Sequence, residues 1–329
     1  MTRTAPLLAL VGLLGLGVAG FLYSTSAAPP AARVVAPPED DLEMLARVLD
    51  ASAPRATGLL AVDDANVYVA RGASGVVEAR PKAGGPARTL ATLGSPATGM
   101  AIAGGSIWIA AGRSVRRIPL AGGSPAVVFD RLARAGAIAA DGQWVFVVDV
   151  EGGATGLLAT SSLLRVPAAG GDAVVLGRTQ GPVASLAIDE ANVYWTDALE
   201  GAVLAVPKAG GTARTVAADR GLPEQVTVMG DSLVWVERRS ESLFAAPKAG
   251  GAPRSIVQDF AGFAHVVAMG HTIAWIDEAA VGGAFRVLAI DAAGGDVLAR
   301  SPPVDAVDAL ATDGAHLFWL RGDEAVAVP

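Results

Sequence analysis

Apolar and polar positions alternate with a period of two through most of the chain, in short runs cut by turn residues. Residues 57–92 show one full unit. Gly58-Leu59-Leu60-Ala61-Val62 is an apolar run, and Asp63-Asp64-Ala65-Asn66 follows it with side chains that bond nearby backbone and suit a tight turn. Val67-Tyr68-Val69-Ala70 is a second run, of the β-branched and aromatic kind that favours strands. Arg71-Gly72-Ala73-Ser74-Gly75 interrupts it, and Val76-Val77-Glu78-Ala79-Arg80 then alternates as a half-buried strand does. An Ala-Gly-Gly turn leads into a fourth strand, Arg88-Thr89-Leu90-Ala91-Thr92. Nothing in the unit has helical period.

The unit recurs. Pro81-Lys82-Ala83-Gly84-Gly85 returns as Pro207-Lys208-Ala209-Gly210-Gly211 and Pro247-Lys248-Ala249-Gly250-Gly251, with looser copies ending at Gly123, Gly171 and Gly295. The spacing is near forty residues, the length of one four-stranded supersecondary unit stacked on copies of itself. The second strand can be followed through Val67-Tyr68-Val69, Ile107-Trp108-Ile109, Val145-Phe146-Val147, Val193-Tyr194-Trp195, Leu233-Val234-Trp235, Ile273-Ala274-Trp275 and Leu317-Phe318-Trp319. The pattern therefore predicts an all-β chain, a seven-bladed β-propeller of four-stranded antiparallel blades over residues 42–329. The last copy has only three strands before Pro329. Leu45-Ala46-Arg47-Val48-Leu49 is similar to Ala87-Arg88-Thr89-Leu90, so residues 44–51 are expected to supply the missing outer strand and remove an open edge. The centre of each innermost strand is small: Ala61, Ala101, Ala139, Ala187, Thr227, Ala268 and Ala311.

The N-terminus departs from this pattern. Leu7–Tyr23 is an unbroken apolar run behind Arg3, long enough for a single membrane anchor and also readable as a signal peptide within residues 1–28. Residues 29–41 read as a Pro/Ala-rich linker. Either reading exports the repeats, to the periplasm or beyond, and the anchor reading adds an inner-membrane tether at residues 7–23. The chain holds no cysteine, which removes disulfides, thiolate metal sites and cysteine nucleophiles. A formal net charge of −7 argues against nucleic acid as a partner.

Val193-Tyr194-Trp195-Thr196-Asp197 resembles the YWTD signature of low-density-lipoprotein-receptor-type propellers. Nearly all of residues 44–329 resembles bacterial extracytoplasmic propellers of the TolB-like and YWTD-like kind. That resemblance implies protein or ligand binding and no common chemistry. The other repeats degrade the signature, to Trp235-Val236-Glu237, Trp275-Ile276-Asp277 and Trp319-Leu320-Arg321.

The candidate site residues lie at the carboxyl ends of the second strands: Arg71, Asp149, Asp197, Glu237, Asp277 and Arg321. They form a broken charged ring on one face, able to take a cation, a basic peptide or a polar ligand, or else simply to cap turns. The same ends carry the longest loops, Asp149–Ser162 above all. Trp195, Trp235, Trp275 and Trp319 share one repeat position with Val69, Ile109 and Val147, which reads as core packing. His265, His271 and His316 fall near different rims and assemble no metal site. There is no nucleophile elbow, zinc-protease motif or phosphate loop. The innermost strands are mostly Ala, Val, Ile and Leu. The sequence therefore points to a non-catalytic binding propeller with no cofactor, whose partner is a protein or a small polar ligand. An envelope scaffold or a propeller lyase or hydrolase are the alternatives.

Overall fold

A computed structural model of the chain describes residues 58–71, 74–152, 159–181, 183–258, 262–277, 285–301, 307–321 and 324–328. Blade 1 comprises β1 (Leu59–Val62), β2 (Asn66–Ala70), β3 (Val76–Pro81) and β4 (Arg88–Thr92). Blade 2 comprises β5 (Ala97–Ala103), β6 (Ser106–Ala111), β7 (Ser114–Pro119) and β8 (Ala126–Phe129). Blade 3 comprises β9 (Ala135–Ala140), β10 (Trp144–Glu151), β11 (Thr160–Pro167) and β12 (Val174–Thr179). Blade 4 comprises β13 (Leu186–Ile188), β14 (Asn192–Asp197), β15 (Ala202–Pro207) and β16 (Arg214–Ala217). Blade 5 comprises β17 (Pro223–Met229), β18 (Ser232–Glu237), β19 (Ser242–Pro247) and β20 (Arg254–Val257). Blade 6 comprises β21 (Phe263–Met269), β22 (Thr272–Asp277), β23 (Arg286–Asp291) and β24 (Leu298–Ala299). A three-stranded sheet of β25 (Ala309–Thr312), β26 (Leu317–Arg321) and β27 (Glu324–Val328) follows.

Each sheet is an antiparallel meander, and its first strand packs beside the first strand of the next. β25 in turn lies against both β21 and β1. The strands pair as the alternation dictates, for instance Ala187 with Tyr194 and Thr227 with Val234.

The expectation of seven four-stranded blades is corrected. Six blades have four strands, and β25–β27 stand as a sheet of three. Counting second strands counted every copy alike, although the seventh shows three strands, not four, among the described residues. No N-terminal closing strand is found: residues 44–51 lie outside the described residues. A smaller correction concerns blade 6, where register places Val267, not Ala268, opposite Ala274 and so at the centre of the innermost strand.

The core lies between blades. Trp195, Trp235, Trp275 and Trp319 are almost fully buried, as the aliphatic residues at their repeat position suggested. Trp235 joins Tyr194, Val203 and Leu233 across the junction of blades 4 and 5, and Trp275 joins Val234, Val236 and Phe263 across that of blades 5 and 6. The seam between the first blade and the three-stranded sheet is filled by Val67, Val69, Ala309, Phe318 and Leu320.

Antiparallel meanders give the molecule two rims. One carries the first-to-second-strand turns and the Ala-Gly-Gly turns. There the repeats form a latch between neighbouring sheets. In the first turn, Asp189 Oδ1 accepts the backbone N–H groups of Ala191 and Asn192, and its Oδ2 accepts the Tyr194 hydroxyl at 2.8 Å. Lys248, from the Ala-Gly-Gly turn of the next blade, then reaches the same Oδ2 at 2.9 Å. Lys208 pairs in the same way with Asp141, and Lys82 with Asp313 across the seam where the chain's first and last sheets meet. Arginines reach forward: Arg88 donates to the carbonyls of Leu120 and Ala121, Arg214 to that of Lys248, and Arg254 to that of Ala292. These turns need glycine because both positions have positive φ, +97° and +134° at Gly210 and Gly211.

The latch sets the response to pH. Burial pushes the Asp189 carboxyl up, but the hydrogen bonds from Lys248, Asn192, Tyr194 and Ala191 outweigh it and hold the group well below its ordinary 3.8. Asp63, Asp141 and Asp313 are also held low. Burial, followed by the hydrogen bond to a carboxylate, pushes Tyr68 and Tyr194 up from 10.0 to about 12. A depressed carboxyl contributes stability that is present above its unfolded value and lost as pH falls below it; a raised tyrosine contributes stability that is lost between its unfolded and folded values. The melting temperature is therefore expected to be flat near neutrality, to fall below about pH 4 and to fall again from about pH 10 to 12. Circular-dichroism melts across pH 2–12 check this; a melting temperature unchanged down to pH 2 would contradict it.

Candidate functional site

The opposite rim carries the second-to-third-strand hairpins and the crossovers between blades, and all six sequence candidates belong to it. Antiparallel order places the end of each second strand there. Arg71 pairs with Glu78 at 3.3 Å, and Arg80 reaches the same Glu78 oxygen. Arg321 ends β26, paired in register with Glu324. The four acidic candidates are all buried.

Their partners differ. Asp149 Oδ1 accepts the backbone N–H groups of Ala133 and Arg134, tying the crossover into β9 to the end of β10. Asp197 accepts the Glu200 N–H at 3.0 Å and closes its own hairpin. Burial pushes the Asp197 carboxyl up; backbone hydrogen bonds from Glu200 and Leu199 oppose this, while the Glu200 charge adds to it. Asp277 is held by Arg286, its cross-strand partner, at 2.7 Å. Glu237 accepts from Arg220, from the Trp235 indole N–H at 3.0 Å and from the Gly221 N–H. The Arg220 guanidinium also lies over the Phe244 ring at 4.6 Å. The four carboxylates thus serve separate local networks. Among the described residues, no three His, Cys, Asp or Glu side chains come together as a metal would require.

Several residues on this rim were missed. Glu224, buried at the start of β17, pairs with Arg238 at 2.8 Å, so blade 5 presents two carboxylate–arginine pairs side by side. All five described non-glycine residues with positive φ lie here: Asp219, Leu222, Gln225, Glu241 and His265. They crowd the crossover into blade 5, its hairpin and the first strands of blades 5 and 6. Such conformations cost of order 1–3 kcal/mol each and persist only where their surroundings enforce them. Gln225 and His265 sit in matching irregularities, where β17 slips against β18 between Glu224 and Thr227, and β21 against β22 between Ala264 and Val267. Their separation of forty residues was the available signal, hidden because it falls in strands read as mostly apolar.

The comparisons with known proteins follow the fold. No family model matches the chain, and no curated protein is similar to it in sequence. Among solved structures, a streptogramin B lyase aligns over 84% of this chain and 95% of its own at 12% identity, with a TM-score of 0.65. A TolB protein from Agrobacterium tumefaciens aligns over 74% and 92% at 13% identity, TM-score 0.53. A nidogen/laminin complex aligns over 82% and 88% at 15% identity, but its TM-score of 0.47 is too low to argue from. At these identities the likeness extends to the fold alone: the chain is a β-propeller.

The two acidic networks give opposite expectations. Replacing Glu237 by Ala strands Arg220 and the Trp235 N–H and should destabilise by about 3 kcal/mol. Asp197→Asn keeps the acceptor for the Glu200 N–H and removes a charge that burial disfavours, so its melting temperature at pH 7 should equal or exceed that of the native protein. A urea titration of the Glu237 variant and a thermal melt of Asp197→Asn at pH 7 measure this; a marked loss in Asp197→Asn would reveal a cationic partner for that carboxylate.

Proposed function

We propose that this chain is a non-catalytic, exported binding propeller whose crossover rim, over blades 4 to 6, recognises a protein partner or a small polar ligand. The observation that carries the reading is the gathering of every described strained non-glycine residue on that rim, beside two buried carboxylate–arginine pairs. The latch rim is spent on holding sheets together, and its turns repeat nearly the same sequence. The crossover rim varies from blade to blade, as recognition demands. A TolB-like or YWTD-like kinship, suggested by Val193–Asp197, agrees with a binding role, as does export through the apolar segment Leu7–Tyr23. No helix among the described residues is long and apolar enough to cross a membrane, and Leu7–Tyr23 lies outside them.

Charge reversal tests the face. Glu200→Lys with Arg239→Glu alters exposed positions on the crossover rim; Glu190→Lys with Asp231→Lys alters exposed positions on the latch rim. Co-purification after crosslinking in the producing cell should lose its specific partner or ligand in the first variant and keep it in the second. The reverse pattern would show that the latch rim is the working face. For export, alkaline phosphatase fused after Pro329 should be active, because its disulfides form only outside the cytoplasm. An inactive phosphatase together with an active cytoplasmic reporter at the same position would refute it.

A further inference from the structure

Charge is unevenly spread along the chain. Residues 112–134 hold five arginines, Arg113, Arg116, Arg117, Arg131 and Arg134, against one acid, Asp130, although the formal net charge of the whole chain is −7. An excess of one sign on part of a surface of the other sign makes a local field that draws oppositely charged partners.

Backbone hydrogen bonds gather part of this excess on the crossover rim. Gly112 and Arg113 form the hairpin between β6 and β7, and residues 130–134 form the crossover from β8 into β9. The Leu132 N–H donates to the Arg113 carbonyl at 3.2 Å, and the Ala135 N–H donates to the Gly112 carbonyl at 2.8 Å. Hairpin and crossover therefore lie side by side, with Arg134 between the two contacts. Blade 3 fixes the crossover as well. The Val150 N–H donates to the Arg134 carbonyl at 2.9 Å, and buried Asp149 accepts the N–H groups of Ala133 and Arg134. Half-buried Arg116 reaches toward the blade 1 side of the same rim, donating from Nη1 to the Leu93 carbonyl and from Nε to Ser114 Oγ.

Arg113 and Arg134 are exposed, and neither guanidinium has a partner among the described residues. Other arginines are spent: Arg131 on Asp172, Arg220 on Glu237, Arg238 on Glu224 and Arg214 on a latch-rim carbonyl. Few acids face the two. Asp149 is buried and occupied by N–H groups, while Asp130 and Glu151 are exposed and form no ion pair among the described residues.

We infer that Arg113 and Arg134, flanked by Arg116, form a docking point on the crossover rim of blades 2 and 3 for an acidic segment of a protein partner, one with neighbouring Asp or Glu side chains. The docking point is separate from the proposed site over blades 4 to 6, and either can fail alone. A guanidinium offers planar, paired N–H donors that match a carboxylate two bonds at a time, and a fixed backbone lowers the cost of presenting them. A short peptide fits where a nucleic acid does not, because an extended polyanion would run off this patch onto a chain that is acidic overall.

Fluorescence anisotropy tests the inference. A labelled peptide of alternating Glu and Gly is titrated with the full chain in neutral detergent, at an ionic strength of about 0.15 M, where the Debye length is about 8 Å. Inorganic phosphate, at constant ionic strength, and a single-stranded oligonucleotide of equal charge are titrated in parallel. Saturable peptide binding is expected. It should weaken about tenfold in Arg113→Glu and in Arg134→Glu, since reversal replaces an attraction by a repulsion of similar size. Arg117→Glu changes the net charge equally but lies further along β7 toward the latch rim, and should weaken binding less than about twofold. Arg113→Lys and Arg134→Lys keep the charge and lose the fork, so their affinities should fall between native and reversed. No saturable peptide binding, equal losses in all three reversals, or tighter binding of phosphate or the oligonucleotide would overturn the inference.

Discussion

The lysine–aspartate latch between sheets is the constraint on which the rest depends. A propeller blade alone buries only part of its apolar surface, and its stability comes from packing against its neighbours. Packing by Trp195, Trp235 and Trp275 supplies most of the attraction but little directional control. The latch supplies direction. Asp189 is first fixed by its own turn and by Tyr194; only then does Lys248 of the next blade find a rigid acceptor. Arg214 returns the connection by capping the Lys248 carbonyl. Lys82 and Asp313 make the same contact between residues 231 positions apart, and Lys82 also lies over Phe318 at 4.8 Å.

The latch also explains where variation can be tolerated. One rim repeats Pro-Lys-Ala-Gly-Gly because its lysine, glycines and following arginine all have structural duties. The other rim is free of them. Its charges differ from blade to blade: backbone-capping Asp149 in blade 3, a carboxyl disfavoured by burial at Asp197 in blade 4, and two arginine pairs in blade 5. The strained residues Asp219, Leu222, Gln225, Glu241 and His265 collect on this side, where the proposed recognition would repay their cost.

Much of the fold was legible in the sequence. Strand alternation and the Ala-Gly-Gly period located every second strand, and aliphatic residues at the tryptophan position correctly marked it as core. The latch was not legible as such, because Lys248 and Asp189 belong to different repeats and only their repetition hints at a pairing. The number of complete blades was overread, since the seventh second strand, Leu317–Arg321, belongs to a sheet of three. At the site, the sequence found Glu237 and Asp277 but not the arginines that neutralise them. Arg286 is the cross-strand partner of Asp277, which register alone reveals, and Arg220 arrives from the crossover between blades. Gln225 was overlooked, and His265 was weighed only as a metal ligand, because the strand irregularities that hold them are invisible to a period-two reading.

The most direct measurement is a double-mutant cycle on the latch between blades 4 and 5. Unfolding free energies of the native protein, Lys248→Met, Asp189→Asn and the double variant are compared by urea titration. Asp189→Asn keeps an oxygen for the turn's backbone N–H groups, so the cycle isolates the interblade contact. The account predicts a coupling of about 1 kcal/mol or more, with the double variant less destabilised than the sum of the singles. Strict additivity would mean that Lys248 and Asp189 do not act together, and that apolar packing alone sets the blades.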